Sequence, residues 1–127
     1  MIVIDTSALM AIALNEPQAR DCERAIVTAG GAIVSAGTLS EILIVADGRG
    51  LADVMQQVLT VVAADVIAVD GAMATKVAAA YRLWGKGNHP ARLNLGDCFS
   101  FALARDRDRP LLFVGNDFSQ TDVRPAG

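Results

Sequence analysis

Asp5, Glu41, Asp97 and Asp117 each stand beside a run of residues that otherwise reads as buried. Asp5 ends Met1-Ile2-Val3-Ile4, Glu41 precedes Ile42-Leu43, Asp97 leads into Cys98-Phe99, and Asp117 follows Leu111-Leu112-Phe113-Val114-Gly115-Asn116. A carboxylate beside an apolar run is costly to bury unless it is paired, hydrogen-bonded or bound to a metal. Four such acids fit a shared cation, and ligation by carboxylates alone selects Mg²⁺ or Mn²⁺ over zinc or copper. An ion of this kind lowers the pKa of a bound water and stabilises charge on a phosphoryl oxygen, so phosphodiester hydrolysis is the natural reaction. Thr6, Ser7, Asn116 and Ser119 are candidates to hold waters or phosphate oxygens around such a site. Lys86 and Arg92 are candidates to contact phosphate, against a default reading as parts of a solvated loop.

Other chemistries find little support. His89 is the only histidine, which argues against a histidine-based zinc site, a Ser-His-Asp triad and a Cys-His pair. Neither G-x-x-x-x-G-K-[ST] nor G-x-G-x-x-G occurs, so the usual nucleotide-binding folds are set aside. A haloacid-dehalogenase-type phosphatase expects a second aspartate where Ser7 stands. A receiver domain expects a late lysine, where this chain has Val114-Gly115-Asn116-Asp117.

Each acid also has a plain structural reading. Thr38-x-x-Glu41 has the form of a capping box, Asn94-x-x-Asp97 is a weaker variant, Asp5 is a possible N-cap and Asp117 a turn residue. Taken singly these readings stand well. Together they weaken, because ordinary caps prefer wet helix ends, whereas Glu41 and Asp97 open helices that lead into the core.

The elements that must position the acids follow from the apolar pattern. Ile2-Val3-Ile4 and Ala32-Ile33-Val34 read as short buried strands, the β-branched Val66-Ile67-Ala68-Val69 as a third strand and Leu111-Leu112-Phe113-Val114 as a fourth. Helices are expected over Ala8 to Leu14, from Pro17 to about Ala29, from Thr38 to the Gly48-Arg49-Gly50 break, and over Leu51 to Ala64. A fifth is capped by Asp70 and carries Met73, Val77, Ala80 and Trp84 on one face; a sixth, capped by Asn94, is apolar almost all round and hence central. A polar loop spans Gly85 to Arg92, and a short edge strand is expected near Val123. Alternating strands and helices imply an α/β fold: a three-layer α/β/α sandwich around a central, mainly parallel sheet. Ligands of such sheets lie at the carboxyl ends of the strands, where Asp5 and Asp117 fall.

The 127 residues are read as one domain, 1–127; 53% are hydrophobic and 20% charged, which excludes a disordered chain. A net charge of −3 argues against a simple basic nucleic-acid binder, but four acids neutralised by metal would leave the remainder nearly balanced. Cys22 and Cys98 form no CxxC and read as reduced, structural thiols, which with the absence of a membrane-length apolar run points to the cytoplasm.

In four stretches the chain resembles a PIN domain, and specifically the VapC-type toxins of bacterial toxin–antitoxin pairs. They are Ile2-Val3-Ile4-Asp5-Thr6-Ser7-Ala8-Leu9, Ser35-Ala36-Gly37-Thr38-Leu39-Ser40-Glu41, Gly85 through Cys98 with its Asn94-Leu95-Gly96-Asp97-Cys98 close, and Leu112 through Asp122 with its Gly115-Asn116-Asp117-Phe118. The resemblance implies a Mg²⁺- or Mn²⁺-dependent endoribonuclease acting on RNA, with Asp5, Glu41, Asp97 and Asp117 as its catalytic, metal-binding carboxylates. It also implies a homodimer held inactive by a small antitoxin protein. Asn116 stands where relatives can carry a second acid, and Asp122 is given no metal role. The rival reading is a catalytically silent PIN-like interaction module whose acids are caps.

Glu41→Gln separates the two readings by stability. A lost cap lowers stability by about 1 kcal/mol. Relief of carboxylate crowding, the expected outcome, leaves metal-free stability unchanged or raised, as a urea titration of both proteins measures.

Overall fold

The computed structural model describes residues 1–127. Its strands are β1 (Ile2–Ile4), β2 (Ala32–Ser35), β3 (Asp65–Ile67) and β4 (Leu111–Leu112). Its helices are α1 (Thr6–Ala13), α2 (Ala19–Ala29), α3 (Ala36–Gly48), α4 (Ala52–Val62), α5 (Gly71–Trp84) and α6 (Leu95–Arg107). The strands form one sheet in the order β3-β2-β1-β4, and every pairing is parallel. Val3 of the central β1 lies in register with Ile33 on one side and Leu111 on the other.

Side-chain alternation along these strands makes the layers. Val3, Ile33 and Leu111 enter a core with Met73, Val77 and Ala80 of α5 and Phe101, Leu103 and Ala104 of α6. Ile2, Ile4, Ala32, Val34 and Leu112 point the other way, into a second core with Leu9, Cys22, Ile42, Ala46 and Met55 from the first four helices. Apolar central strands with helices on both faces therefore follow from the sequence pattern, while the edge strand β3 is largely exposed. The sheet is wholly parallel, a stronger form of the expected arrangement.

The chain order sets the rim. β2 and β3 are laid down successively on one side of β1, and β4 returns to the other side. The direction of winding thus reverses between β1 and β4, and the crevice beyond their carboxyl ends is where such folds place ligands. Asp5 continues the extended backbone of β1 (φ −89°, ψ 159°), so alternation directs its side chain to the face of Val3, that of α6.

Several boundaries differ from expectation for identifiable reasons. α1 starts at Thr6 rather than Ala8, since Asp5 itself is the N-cap, and α2 starts at Ala19, two residues after Pro17. α3 starts at Ala36 and not Thr38, because Ser35 caps it by accepting from the Gly37 N–H at 3.2 Å. β4 stops at Leu112; beyond it the Val114 N–H turns to the Ser7 hydroxyl instead of a neighbouring strand. The edge strand near Val123 reduces to a single parallel bridge between Leu111 and Pro125, and a proline has no N–H with which to extend it.

Other expectations stand. Cys22 and Cys98 are buried and unpaired, and burial, followed by the charge of Asp97, pushes the Cys98 thiol up to about 11, as suits an inert side chain. The charged C-terminal end of α6 makes surface pairs, Arg105 with Asp122 and Lys76 with Asp106, of the kind worth little to stability. Trp84 packs edge-on against His89 with ring centroids 4.7 Å apart, and its Nε1 is buried without a partner.

One close approach controls the site. Where α3 meets α6, a Cβ on Gly37 would lie 2.4 Å from the Phe99 ring. Gly37→Ala is therefore expected to destabilise by about 1 kcal/mol or more, the overpacking cost exceeding the helix propensity alanine brings. The urea midpoints of parent and variant measure this.

Candidate active site

Four acids far apart in sequence meet at the carboxyl edge of the sheet. Asp97 lies near enough to Asp5, Asp117 and Glu41 for their charges to add to the rise of its carboxyl. Asp5 comes from the end of β1, Glu41 from the second turn of α3, Asp97 from the first turn of α6, and Asp117 from the turn after β4.

Asp5 is buried and accepts three hydrogen bonds. Its Oδ2 takes the Ser7 N–H at 3.1 Å and the Ser7 hydroxyl at 2.7 Å, and its Oδ1 takes the Ser100 hydroxyl at 2.6 Å. Ser7 Oγ in turn accepts from the Val114 N–H at 3.0 Å, tying the end of β4 to the end of β1. Charge-assisted bonds of this kind are what allow a carboxylate to stay ionised when buried.

Glu41 is half-buried and does not close a capping box. Its Oε1 accepts from the Thr6 hydroxyl at 2.5 Å, across from α3 to α1. A Cβ at Gly96 would lie 2.0 Å from Glu41 Oε2, so the carboxylate rests directly on the α6 backbone where only glycine leaves room. Gly37 and Gly96 thus give reciprocal clearance: each helix lacks a side chain where the other's Phe99 or Glu41 crosses it.

Asp97 does close a capping box, its Oδ2 accepting from the Asn94 N–H at 3.0 Å while Asn94 Oδ1 accepts from the Asp97 N–H at 2.8 Å. The structural reading is correct for this residue, and the site reading is not displaced by it. Burial pushes the Asp97 carboxyl up to about 7; the Asn94 N–H opposes that rise, and repulsion from Asp5, Asp117 and Glu41 adds to it. None of the four acids takes part in an ion pair.

The remaining candidates divide. Thr6 and Ser7 are in the site, each donating to an acid. Asn116 and Asp117 are exposed on the turn after β4, where Ser119 is committed to that turn, its hydroxyl donating to the Asn116 carbonyl at 2.7 Å. Lys86 shares a groove with Asn94, Leu95 and Phe99, which places it beside the cap of α6. Arg92 is exposed at positive φ (58°) with no bond to an acid. Asp122 is held by Arg105 and is not part of the cluster.

Sequence reasoning missed Ser100, Thr38 and Gly96. Ser100 and Thr38 are buried and hydrogen-bonded to each other at 3.1 Å, behind Asp5. The available signal was spacing: Thr38/Glu41 and Asp97/Ser100 are each three residues apart, so each pair shares a helix face.

The donor set suits a hard divalent cation: oxygen only, strongly negative, with no lysine or arginine paired into it. As the side chains stand, no three of them are close enough to hold one ion, since Asp5, Glu41 and Asp97 are each turned to a protein donor.

The raised Asp97 carboxyl sets a pH dependence. In the folded state Asp97 holds its proton up to about 7, whereas an ordinary aspartate releases it near 3.8. The folded metal-free protein therefore loses stability as pH rises through that window. Asp97→Asn is expected to be more stable than the parent at pH 8, with the gap closing as pH falls toward 4; urea unfolding at both pH values, with chelator present, checks it, and a constant gap would contradict it.

Residues 2–124 match the PIN domain family. Among curated proteins, the chain is 39% identical over 129 residues to ribonuclease VapC42 of Mycobacterium tuberculosis, covering 98% of each. It is 43% identical over 125 residues to ribonuclease VapC of Mycolicibacterium smegmatis, covering 96% of this chain and 97% of that one. Among solved structures it resembles VapC20 of M. tuberculosis, described as a sarcin-ricin loop cleaving toxin, with a TM-score of 0.74 at 16% identity, covering 97% of this chain and 96% of the other. A toxin-antitoxin complex from Klebsiella pneumoniae gives a TM-score of 0.71 at 17% identity over 96% of this chain and 93% of that one. With residues 2–124 matched and relatives about 40% identical over nearly the full length, the chain belongs to the PIN domain family.

Proposed function

We infer that this protein is a divalent-metal-dependent endoribonuclease of the VapC type, a toxin neutralised by a cognate antitoxin. The observation that carries the reading is the carboxylate cluster at the β1/β4 reversal, in a chain about 40% identical over nearly full length to proteins named VapC ribonucleases. The metal is Mg²⁺ or Mn²⁺, and Asp5, Glu41, Asp97 and Asp117 hold it, directly or through water. When bound, it supplies an activated water and neutralises charge on the phosphoryl group.

The chain's own residues do the rest. Ser7 and Ser100 fix Asp5, and Thr6 fixes Glu41, so that the carboxylates are held before the ion arrives. Asp97, whose carboxyl is raised first by burial and then by its acidic neighbours, would release its proton to solvent on holding a cation. Asp117 and Asn116, exposed on their turn, face incoming RNA, with Lys86 and Arg92 offering charge to its phosphates. Exposed Ile44, Val61, Leu83 and Leu95 support binding of an antitoxin and of a second copy of the chain. No helix is long and apolar enough to cross a membrane, and we place the activity in the cytoplasm.

The silent-module reading retains one specific observation, the complete Asn94–Asp97 capping box. Incubation of purified protein with cellular RNA decides between them. Mn²⁺ or Mg²⁺ is expected to support cleavage that chelator abolishes. Asp97→Asn is expected to lose about 100-fold or more, above the usual cost of removing a group that only supports a ligand. No cleavage by the parent, with Asp97→Asn indistinguishable from it, would sink the nuclease reading.

A further inference from the structure

We propose that Ser100 and Thr38 are positioning residues, a two-hydroxyl relay that aims Asp5 at the metal and locks it to the helices carrying Glu41 and Asp97. The inference rests on the nuclease reading and adds to it two residues outside the acid set. Both side chains are fully buried.

Hydrogen-bond polarity gives the relay a direction. An ionised carboxylate only accepts, so the single hydroxyl proton of Ser100 is committed to Asp5 Oδ1, 2.6 Å away. At 3.1 Å from Thr38, Ser100 Oγ must then accept, and Thr38 must donate. Each hydroxyl polarises the next, which strengthens the bond that reaches the charge. Asp5 Oδ2 already accepts twice from Ser7. The one acceptor position left on the carboxylate is therefore on Oδ1, and Ser100 decides where it points.

The placement of these hydroxyls argues against mere filling. Apart from Asp97, the other buried residues of α6 are Cys98, Phe101, Ala102, Leu103 and Ala104, among which a hydroxyl is a cost unless it is used. Thr38 lies one turn before Glu41 on α3, and Ser100 one turn after Asp97 on α6. A movement of either helix is thus passed to Asp5 through the relay, and the three buried or half-buried acids are set relative to one another. The clearance at Gly37 and Gly96 lets the two helices come close enough for the hydroxyls to touch.

Equilibrium Mn²⁺ binding, followed by electron paramagnetic resonance without RNA, tests the proposal, alongside the Mn²⁺ concentration giving half-maximal cleavage. The variants are Ser100→Ala, Thr38→Val (same shape, no donor) and Thr38→Ser (donor kept, methyl lost). Ser100→Ala and Thr38→Val are expected to weaken Mn²⁺ binding by about 10–100-fold, the usual cost of losing a ligand's support, and to raise the half-maximal Mn²⁺ to match. Thr38→Ser is expected to bind within about threefold of the parent, well inside that range. If Ser100→Ala does not fold, the Thr38 pair decides alone. Equal impairment of Thr38→Val and Thr38→Ser, parental affinity in both Thr38→Val and Ser100→Ala, or failure of all three to fold would each overturn the relay in favour of packing. A parent that binds no Mn²⁺ overturns the nuclease reading and the relay together, whereas a parent that binds and cleaves while the variants match it overturns the relay alone.

Discussion

A buried carboxylate at the end of the central strand is the constraint on which the rest of the site depends. Asp5 is fixed in place by β1, and an ion of its size cannot remain charged among apolar side chains without donors. Three donors reach it, two from Ser7 and one from Ser100. Satisfying it recruits the first turn of α1, the middle of α6 and, through Ser7, the backbone beyond β4. One charge thereby ties the sheet to helices on both of its faces.

Donors are distributed unequally among the acids, and this explains their different characters. Asp5 has three, Glu41 has the Thr6 hydroxyl, Asp97 has one backbone N–H, and Asp117 is exposed to water. Burial raises the carboxyl of Asp97, the least supported of the buried acids, and the charges of Asp5, Asp117 and Glu41 raise it further. The pocket holds negative charge that no side-chain cation offsets. An asymmetric set of this kind stores electrostatic cost in one residue while keeping the others in place, a form of preorganisation toward a positive ligand.

How much of this was legible varied with the physical signal. β1, β2 and β4 were visible as apolar runs, and the acids were visible because they are out of place beside them. β3 was expected over 66–69 but spans Asp65–Ile67: Asp65 on an edge strand carries no apolar signal, and Ala68 and Val69 continue the apolar run beyond the pairing. The α3 start was misread because Thr38-x-x-Glu41 has the right spacing for a capping box, while Ser35, at the end of a strand, is the residue that caps. Ser100 was invisible in a helix read as apolar throughout: a single hydroxyl barely alters periodicity, yet inside the fold it meets a charge. Gly37 and Gly96 had no periodicity to reveal them, because their requirement arises only where two helices cross.

The order of the strands has a consequence for synthesis of the chain. β1 is made first and occupies the centre of the sheet, but one of its two neighbours is β4, the last strand made. Until residue 111 is available, one edge of β1 remains unpaired, Ser7 has no Val114 amide to receive, and the contribution of Asp117 does not yet exist. A nascent chain thus makes its first acid long before β4, and the cluster cannot assemble until the turn after β4 has been made. For an enzyme that attacks RNA, that sequence of events separates manufacture from damage: no cluster exists while the second edge of β1 is still to be made.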